Sequence, residues 1–223
     1  MIKLDLHIHS KYSEDACGTA SEIIKQVKKK GLQGMAITDH NSISGGIKAK
    51  KLSSKDFLVI PGVEISTKQG HCIGLNVEKD IPKNKSVSDT IELIYDAGGI
   101  PIIPHLFRNM SGIKEQHLSS IVHRISAIEV YNSCSLPTTN LKTAEVAKKY
   151  SLGGTGGSDS HEPEYAGNAY TLVDTTDLTI DTILSEIEKK NTWGNGTTLP
   201  LTYRRDRMVK SLRQFFQRGF KRI

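Results

Sequence analysis

Six of the eight histidines stand at the ends of short apolar runs, close to carboxylates or to an arginine. His7 and His9 flank Ile8 in "LDLHIHS", and His40 follows Asp39 in "TDHNS". Glu64 lies in "PGVEIS", His71 opens "HCIGL", "PHLFR" carries His105 and Arg108, and "GSDSH" carries Asp159 and His161. In "YSEDAC", Glu14 and Asp15 compete as the one further donor. Imidazole and carboxylate together suit Zn, Mn or Fe. No cysteine belongs to the pattern, which argues against a structural thiolate zinc site. These donors exceed what one ion can hold, so two or three divalent ions sharing a carboxylate and a hydroxide would use them. Such a cluster lowers the pKa of bound water and clamps a phosphate. A purely structural reading would instead bury many titratable groups without partners, at high cost.

The elements that must position these groups follow from periodicity. Residues 2–8 read as a strand, in which alternation places Leu4 and Leu6 on one face and Asp5, His7 and His9 on the other. "TASEIIKQVKKKG" reads as a helix, with Thr19 and Glu22 as a capping box and Gly31 as its stop. Further strands are expected at "LQGMAIT", "FLVIPGVEIS", "HCIGLNV", "IPIIPH", "SAIEVYN", "LGGTGG" and "NAYTLVD". Helices are expected at "SVSDTIELIYDAGG", "TTNLKTAEVAKKYS" and "TIDTILSEIEKKN". This alternation predicts an α/β fold with a parallel sheet closed into a barrel, and such barrels carry function at the C-terminal ends of their strands.

Composition narrows the classes. The 223 residues suffice for one well-cored domain. No apolar stretch is long enough to span a membrane, and the first residues lack the apolar core of a signal peptide. The three cysteines are scattered, which predicts a reduced, cytoplasmic protein without disulfides. Residues 203–223 hold eight basic side chains against Asp206, a net +7, which leaves −1 for residues 1–202 out of the chain's +6. The expected organisation is therefore a barrel domain over 1–202 and a basic amphipathic helix over 203–223. Met208, Leu212, Phe215, Phe216 and Phe220 would share one side of that helix. Docking of this apolar side on the barrel is the plain reading. Nucleic acid, an anionic membrane surface or a partner subunit are the other candidates for what the tail meets.

Taken in order, "DLHIHSKYSED", "ITDHNS", "PGVEIS", "PHLFR" and "GSDSH" resemble the successive motifs of the PHP (polymerase and histidinol phosphatase) domain superfamily, over about residues 1–175. The resemblance implies a distorted (β/α)7 barrel with a trinuclear metal site at the strand C-termini and, for a free-standing member, metal-dependent phosphoesterase activity. It implies that His7, His9, Glu64 and Asp159 hold one ion and that Glu64 bridges to a second, held by His71 and His105. Asp15, His40 and His161 would hold a third. Arg108 would grip a phosphate oxygen, and Asp159 with His161 would join it in catalysis. Leu106 departs from the family's usual proline after the histidine.

The resulting expectation is hydrolysis of a phosphate ester by a metal-bridging hydroxide, on a nucleotide or another small phosphorylated metabolite. A nuclease acting on DNA or RNA ends is a second reading, and a non-catalytic metal-binding regulatory module a third. The complete donor set argues against the last. No G-x-S-x-G elbow, P-loop or dinucleotide fingerprint is present.

Overall fold

Every strand expected from the apolar runs forms in the computed structural model, which describes residues 1–217 and 219, Met208 and Ser211 by their backbone alone. The order is β1 (Ile2–Ile8), α1 (Ala20–Lys29), β2 (Gly34–Ile37), α2 (Ser44–Lys50), β3 (Leu58–Ser66), β4 (His71–Leu75), α3 (Val87–Asp96), β5 (Ile100–Ile103) and α4 (Glu115–Leu118). It continues with β6 (Ala127–Asn132), α5 (Pro137–Lys149), β7 (Gly153–Gly157), β8 (Ala169–Val173), α6 (Ile180–Glu188), β9 (Thr192–Gly196) and α7 (Leu201–Gln217). The capping box is present: Thr19 accepts from the Glu22 N–H, and the Glu22 side chain accepts from Thr19. The elements not named in the expectation are α2, the four-residue α4 and β9. α2 and β9 are glycine-bearing, which disguises them. A Cβ on Gly45 would lie 1.9 Å from Asp39 Oδ2, so α2 needs glycine there to reach the barrel.

The nine strands form one sheet in the order β7-β6-β5-β4-β3-β2-β1-β8-β9. It is mixed rather than wholly parallel. β1–β2, β2–β3, β5–β6 and β6–β7 are parallel, whereas β4 runs against both neighbours and β8 against β1 and β9. The chain turns straight from β3 into β4, with Thr67 N–H bonded to Gly70 O at 2.8 Å. So short a connection can only make an antiparallel pair.

The two ends of the sheet meet without a continuous ladder, giving a nearly closed barrel. Thr171 of β8 accepts from Gly156 N–H at 2.9 Å and donates to Gly156 O at 3.0 Å, and Thr192 of β9 donates to Gly154 O at 3.0 Å. At the C-terminal rim, Asp159 N–H bonds His7 O at 2.8 Å and His9 N–H bonds Ser160 O at 2.9 Å. The glycines of β7 permit this approach: a Cβ on Gly156 would lie 2.4 Å from Tyr170 O.

His7 and His9 point the same way, as alternation in β1 predicts, with their Nε2 atoms 3.2 Å apart, although the register against β2 shifts between Asp5 and Ile8. Leu4 and Leu6 join an apolar cluster drawn from β1 to β6, β8 and α6, the inner core of the barrel. Ile8 instead joins the cluster that contains Ile23 and Val27 of α1. Such an irregularity re-aims side chains at the end of a strand, here His7 and His9.

The C-terminal segment is helical through Gln217. Of the expected apolar stripe, the Met208 side chain and Phe220 lie outside the described residues, as do the basic Arg218, Lys221 and Arg222. Of the described side chains of that stripe, Leu212 and Phe216 are exposed and Phe215 is half-buried. Among the described residues no helix is long and apolar enough to cross a membrane, and all three cysteines are unpaired.

Candidate metal centre

All six strand-end histidines, Glu64, Asp159 and Asp15 converge at the C-terminal rim of the barrel. His7, His9, Glu64, His105, Asp159 and His161 are buried, and His40 and His71 are partly so. His117 and His123 lie in α4 and in a 3-10 turn and take no part. The chain bends sharply to present the donors. His105 and Asp159 occupy the left-handed region at φ 31° and 52°, which costs an L-residue roughly 1–2 kcal/mol. Each is pinned there through its own backbone N–H, His105 by Glu129 Oε2 at 2.9 Å and Asp159 by His7 O.

Hydrogen bonds decide which nitrogen each ring presents. His7 Nδ1 donates to Glu129 Oε1 at 2.9 Å, which leaves Nε2 facing the cluster. The single proton of the Ser13 hydroxyl goes to Asp39 Oδ1 at 3.0 Å, while Ser13 Oγ also accepts from the His40 N–H at 2.9 Å. Ser13 Oγ must therefore accept from His9 Nδ1 at 3.2 Å, and His9 likewise presents Nε2. His161 Nδ1 donates to Asp159 O at 3.0 Å and presents Nε2 as well. Anchoring a ring through its second nitrogen is how metal-binding histidines are oriented.

The presented atoms form three groups. His7 Nε2 and His9 Nε2 lie 3.2 Å apart, and both face Glu64 Oε2 (3.5 and 3.3 Å) and Asp159 Oδ1 (3.6 and 3.4 Å). Glu64 Oε1 faces the other way, toward His71 Nδ1 at 2.8 Å and His105 Nε2 at 2.9 Å. Asp15 Oδ2 is 3.0 Å from His161 Nε2 and 3.8 Å from His40 Nε2. His40 also lies between groups, its Nδ1 3.1 Å from Glu64 Oε2. Asp15 is placed among these donors. Arg108 stands at the rim, 28% exposed, with Nη1 2.5 Å from Asp159 Oδ2 and Nη2 donating to Asn132 Oδ1 at 2.9 Å.

Electrostatics follows burial and charge. Burial opposes a charged ring at His7 and His9. The surrounding carboxylates (Glu129, Asp159 and Glu64 at His7, Asp159 and Glu64 at His9) outweigh it, raising His7 well above its ordinary value and His9 to about 9. Burial holds His40 well below the usual range, and takes His105 and His161 down to about 4. Burial would raise Glu64 and Asp159, but neighbouring histidines at both, and Arg108 at Asp159, hold them well below the usual carboxylate range.

These residues fit divalent ions. His9, His40 and His161; His7, His105 and Asp159; His7, His9 and Glu64; and His40, Glu64 and His71 each place their donor atoms within 4.8 Å of one another. The buried Asp15 Oδ1, His40 Nδ1, His105 Nδ1 and His161 Nε2 have no hydrogen-bond partner among the described residues. The short His40–Glu64 and His161–Asp15 contacts thus lack hydrogen-bond geometry. Nitrogens aimed past their neighbours toward a shared point match the arrangement ligation requires.

Sequence reasoning underused four residues. Glu129 and Asn132, at the end of β6, are buried supports: Glu129 Oε2 also accepts from Asn132 Nδ2 at 2.9 Å. The strand-end rule that located the histidines points to Asn132 too. Ser13 and Arg207 carried no local signal. Asp5 braces the backbone, accepting from the N–H groups of Ser158 at 2.9 Å and Gly167 at 2.7 Å, whereas Asp39 accepts from the Ser10 N–H at 2.6 Å and, through the Ser13 hydroxyl, helps fix the His9 ring. Because Glu129 holds His7 and His105 together, Glu129→Gln should weaken metal binding by about 10–100-fold. Titration with Mn²⁺ or Zn²⁺ against a chelating dye checks this, and unchanged affinity would remove Glu129 from the site.

Comparison with known proteins agrees with this geometry. Residues 137–192 match the family model described as PHP-associated. An uncharacterized protein of Methanocaldococcus jannaschii is 39% identical over 144 residues, 59% of this chain and 82% of that protein. The phosphoribosyl 1,2-cyclic phosphate 1,2-diphosphodiesterase of Eggerthella lenta is 31% identical over 85 residues, 35% of this chain and 32% of that enzyme. Among solved structures, a two-domain Bacteroides vulgatus protein containing a predicted PHP-like metal-dependent phosphoesterase superposes with a TM-score of 0.71 at 18% identity. It covers 88% of this chain, and the chain spans 65% of its length. The lesion-specific endonuclease EndoQ of Pyrococcus furiosus superposes with a TM-score of 0.65 at 18% identity, over 84% of this chain and 56% of that one. The nearly closed mixed barrel, the ordered motifs and these relatives together make this chain a member of the PHP-domain family.

Proposed function

We propose that the rim cluster hydrolyses a phosphate ester of a nucleotide or another small metabolite, using two or three divalent ions (Mn, Zn or Fe). The observation that carries this reading is Glu64, whose two carboxylate oxygens face separate sets of histidines. His7, His9, Glu64 and Asp159 would hold one ion, Glu64, His71 and His105 a second, and Asp15, His40 and His161 a third. Ions held there supply Lewis-acid charge to a phosphoryl oxygen and lower the pKa of water. Arg108 keeps N–H groups beyond those given to Asp159 and Asn132, and its planar fork suits phosphate oxygens. A cytoplasmic setting is part of this proposal, supported by the three unpaired cysteines.

A nuclease is the second reading. It is favoured by the basic side chains of α7, with Arg204, Arg205, Arg207, Lys210 and Arg213 on one helix, and by the likeness in fold to an endonuclease. The organisation into a barrel over 1–202 and a basic helix over 203–223 belongs to the same proposal.

Elemental analysis paired with assays on phosphomonoesters, nucleotides and oligonucleotides tests both readings, with Asp159→Ala as the control. Two or three ions per chain and turnover of phosphomonoesters, both lost in the variant, are the expected result. Turnover confined to oligonucleotides, with an affinity that falls steeply with salt, would favour the nuclease. No stoichiometric metal after growth in Mn- and Zn-supplemented medium would leave the inert module.

A further inference from the structure

α7 meets the barrel through its polar side. Tyr203 stacks on Tyr165 with ring centroids 4.1 Å apart, Arg204 Nη1 donates to Ser135 O at 2.8 Å, and Arg207 Nη2 lies 3.8 Å from Asp15 Oδ2. Asp15 and Ser135 belong to the loops after β1 and β6, so the helix lies along the C-terminal rim. Helical spacing puts Leu201, Val209, Leu212 and Phe216 on the side opposite Tyr203 and Arg207. All four are exposed, Leu201 by 69% and Phe216 by 60%. A helix that serves only to cover a barrel turns its apolar stripe inward. α7 instead turns about 22 Å of it to solvent. Three loops of the same rim add exposed apolar side chains, Tyr12 after β1, Met110 after β5 and Leu136 after β6.

The same helix is strongly basic. Residues 203–223 carry a net +7 by sequence, against −1 for residues 1–202. Lys210 and Arg213 are exposed beside the stripe, and Arg205 stands within it, its guanidinium turned onto Asp206 at 3.0 Å. The stem of such a residue lies against apolar surroundings while its head stays in a charged layer. What covers this face must match both features. A second copy of the chain would set one +7 helix against another, which like charges oppose. Nucleic acid matches the charge through its phosphates but offers little to Leu201, Val209 and Leu212. A bilayer rich in anionic lipid matches both, because its headgroup phosphates meet Lys and Arg while the acyl boundary takes Leu, Val and Phe. With five basic side chains from Arg204 to Arg213, the helix is too charged to cross that bilayer and suited to lie in its plane.

We propose that α7 is a docking surface for an anionic lipid bilayer, with Leu201, Val209, Leu212 and Phe216 set into the headgroup boundary and the rim of the metal centre held at the membrane surface. Docking of this kind needs no turnover at the cluster and goes beyond the phosphoesterase reading.

Cosedimentation of the full chain with extruded vesicles tests it, using phosphatidylcholine alone and phosphatidylcholine mixed in equal parts with phosphatidylglycerol. The wild type should bind the anionic vesicles about tenfold or more tightly than the neutral ones, and added salt should weaken that binding. Leu212→Ser with Phe216→Ser should lower it by about tenfold or more, and Lys210→Gln with Arg213→Gln should remove most of the preference for the anionic vesicles. These side chains are exposed, and an unchanged circular dichroism spectrum shows that each variant folds. Phe216→Trp should add an emission that shifts to the blue when anionic vesicles are added, whereas the emission of Trp193 in the wild type should not move. Failure to bind either vesicle, equal affinity for the two, or binding that survives the Leu212→Ser, Phe216→Ser pair would overturn the proposal. So would a dimer, seen by light scattering, that the same pair disperses, or binding of a single-stranded oligonucleotide that the pair abolishes while vesicles are ignored. The dimer would give the face to a second copy, and the oligonucleotide would give it to nucleic acid.

Discussion

Glu64→Gln is expected to lower phosphoester turnover by about 10³-fold or more, equivalent to about 4 kcal/mol of transition-state stabilisation, and to lower the metal content per chain. The substitution keeps the shape of the side chain and removes its charge. Glu64 Oε1 faces His71 and His105 at 2.8 and 2.9 Å, while Oε2 faces His9 at 3.3 Å and His40 at 3.1 Å. An amide presents one oxygen and one NH₂ group, so one of the two histidine sets would meet a donor where it now meets an acceptor. Among the described residues no other carboxylate is in contact with both sets. Asp159 approaches only the His7, His9 and His161 side. Elemental analysis and steady-state kinetics measure the effect, and an unchanged far-ultraviolet circular dichroism spectrum separates it from misfolding. Full metal content with turnover within tenfold of wild type would show that Glu64 does not join the two sets.

Gly157→Ala should be the most damaging small change in the fold. A Cβ at this position would lie 2.3 Å from the His7 Cβ, 2.8 Å from Glu129 Oε1 and 2.9 Å from the His7 backbone nitrogen. Two of those three atoms are fixed by the β1 backbone, so rotating a side chain cannot relieve the clash. β1 and β7 must separate where the sheet closes. Overpacking of well-packed sites costs about 1–3 kcal/mol, and the rigid neighbours place this variant at the upper end. For a domain of this size, about 3 kcal/mol corresponds to a fall of roughly 6–12 °C in Tm. Because the displaced groups are His7 and its partner Glu129, metal affinity should fall with stability. Thermal unfolding monitored by circular dichroism, with metal titration on the same sample, checks both. A Tm within 2 °C of wild type and undiminished metal affinity would mean that the barrel does not rely on this close approach.

The side chains that gather at the rim were legible in the sequence because their pattern is local. Apolar runs end in His7 and His9, His40, Glu64, His105, Asp159 and His161, and strand ends are where a barrel gathers its function. The capping box at Thr19 is equally local and formed as expected. Alternation in β1 placed His7 and His9 on one side, as found, but the register shift between Asp5 and Ile8 depends on pairing with β2 and was not legible. The antiparallel setting of β4 and β8, and the existence of β9, likewise depend on neighbours rather than on residue pattern.

What the sequence by itself determined was the set of donors, their order and the kind of barrel that would collect them. Those features follow from side-chain chemistry and from periodicities that span only a few residues. Only the tertiary structure decided which atom of each donor faces the centre, since Glu129, Ser13 and the Asp159 carbonyl set the ring nitrogens across separations of up to 122 residues. It also decided that the glycines of β7 are the seam of the barrel, and that α7 brings Arg207 to the Asp15 side. Those distances arise from closure of the whole sheet, a long-range event to which no single stretch of chain is committed.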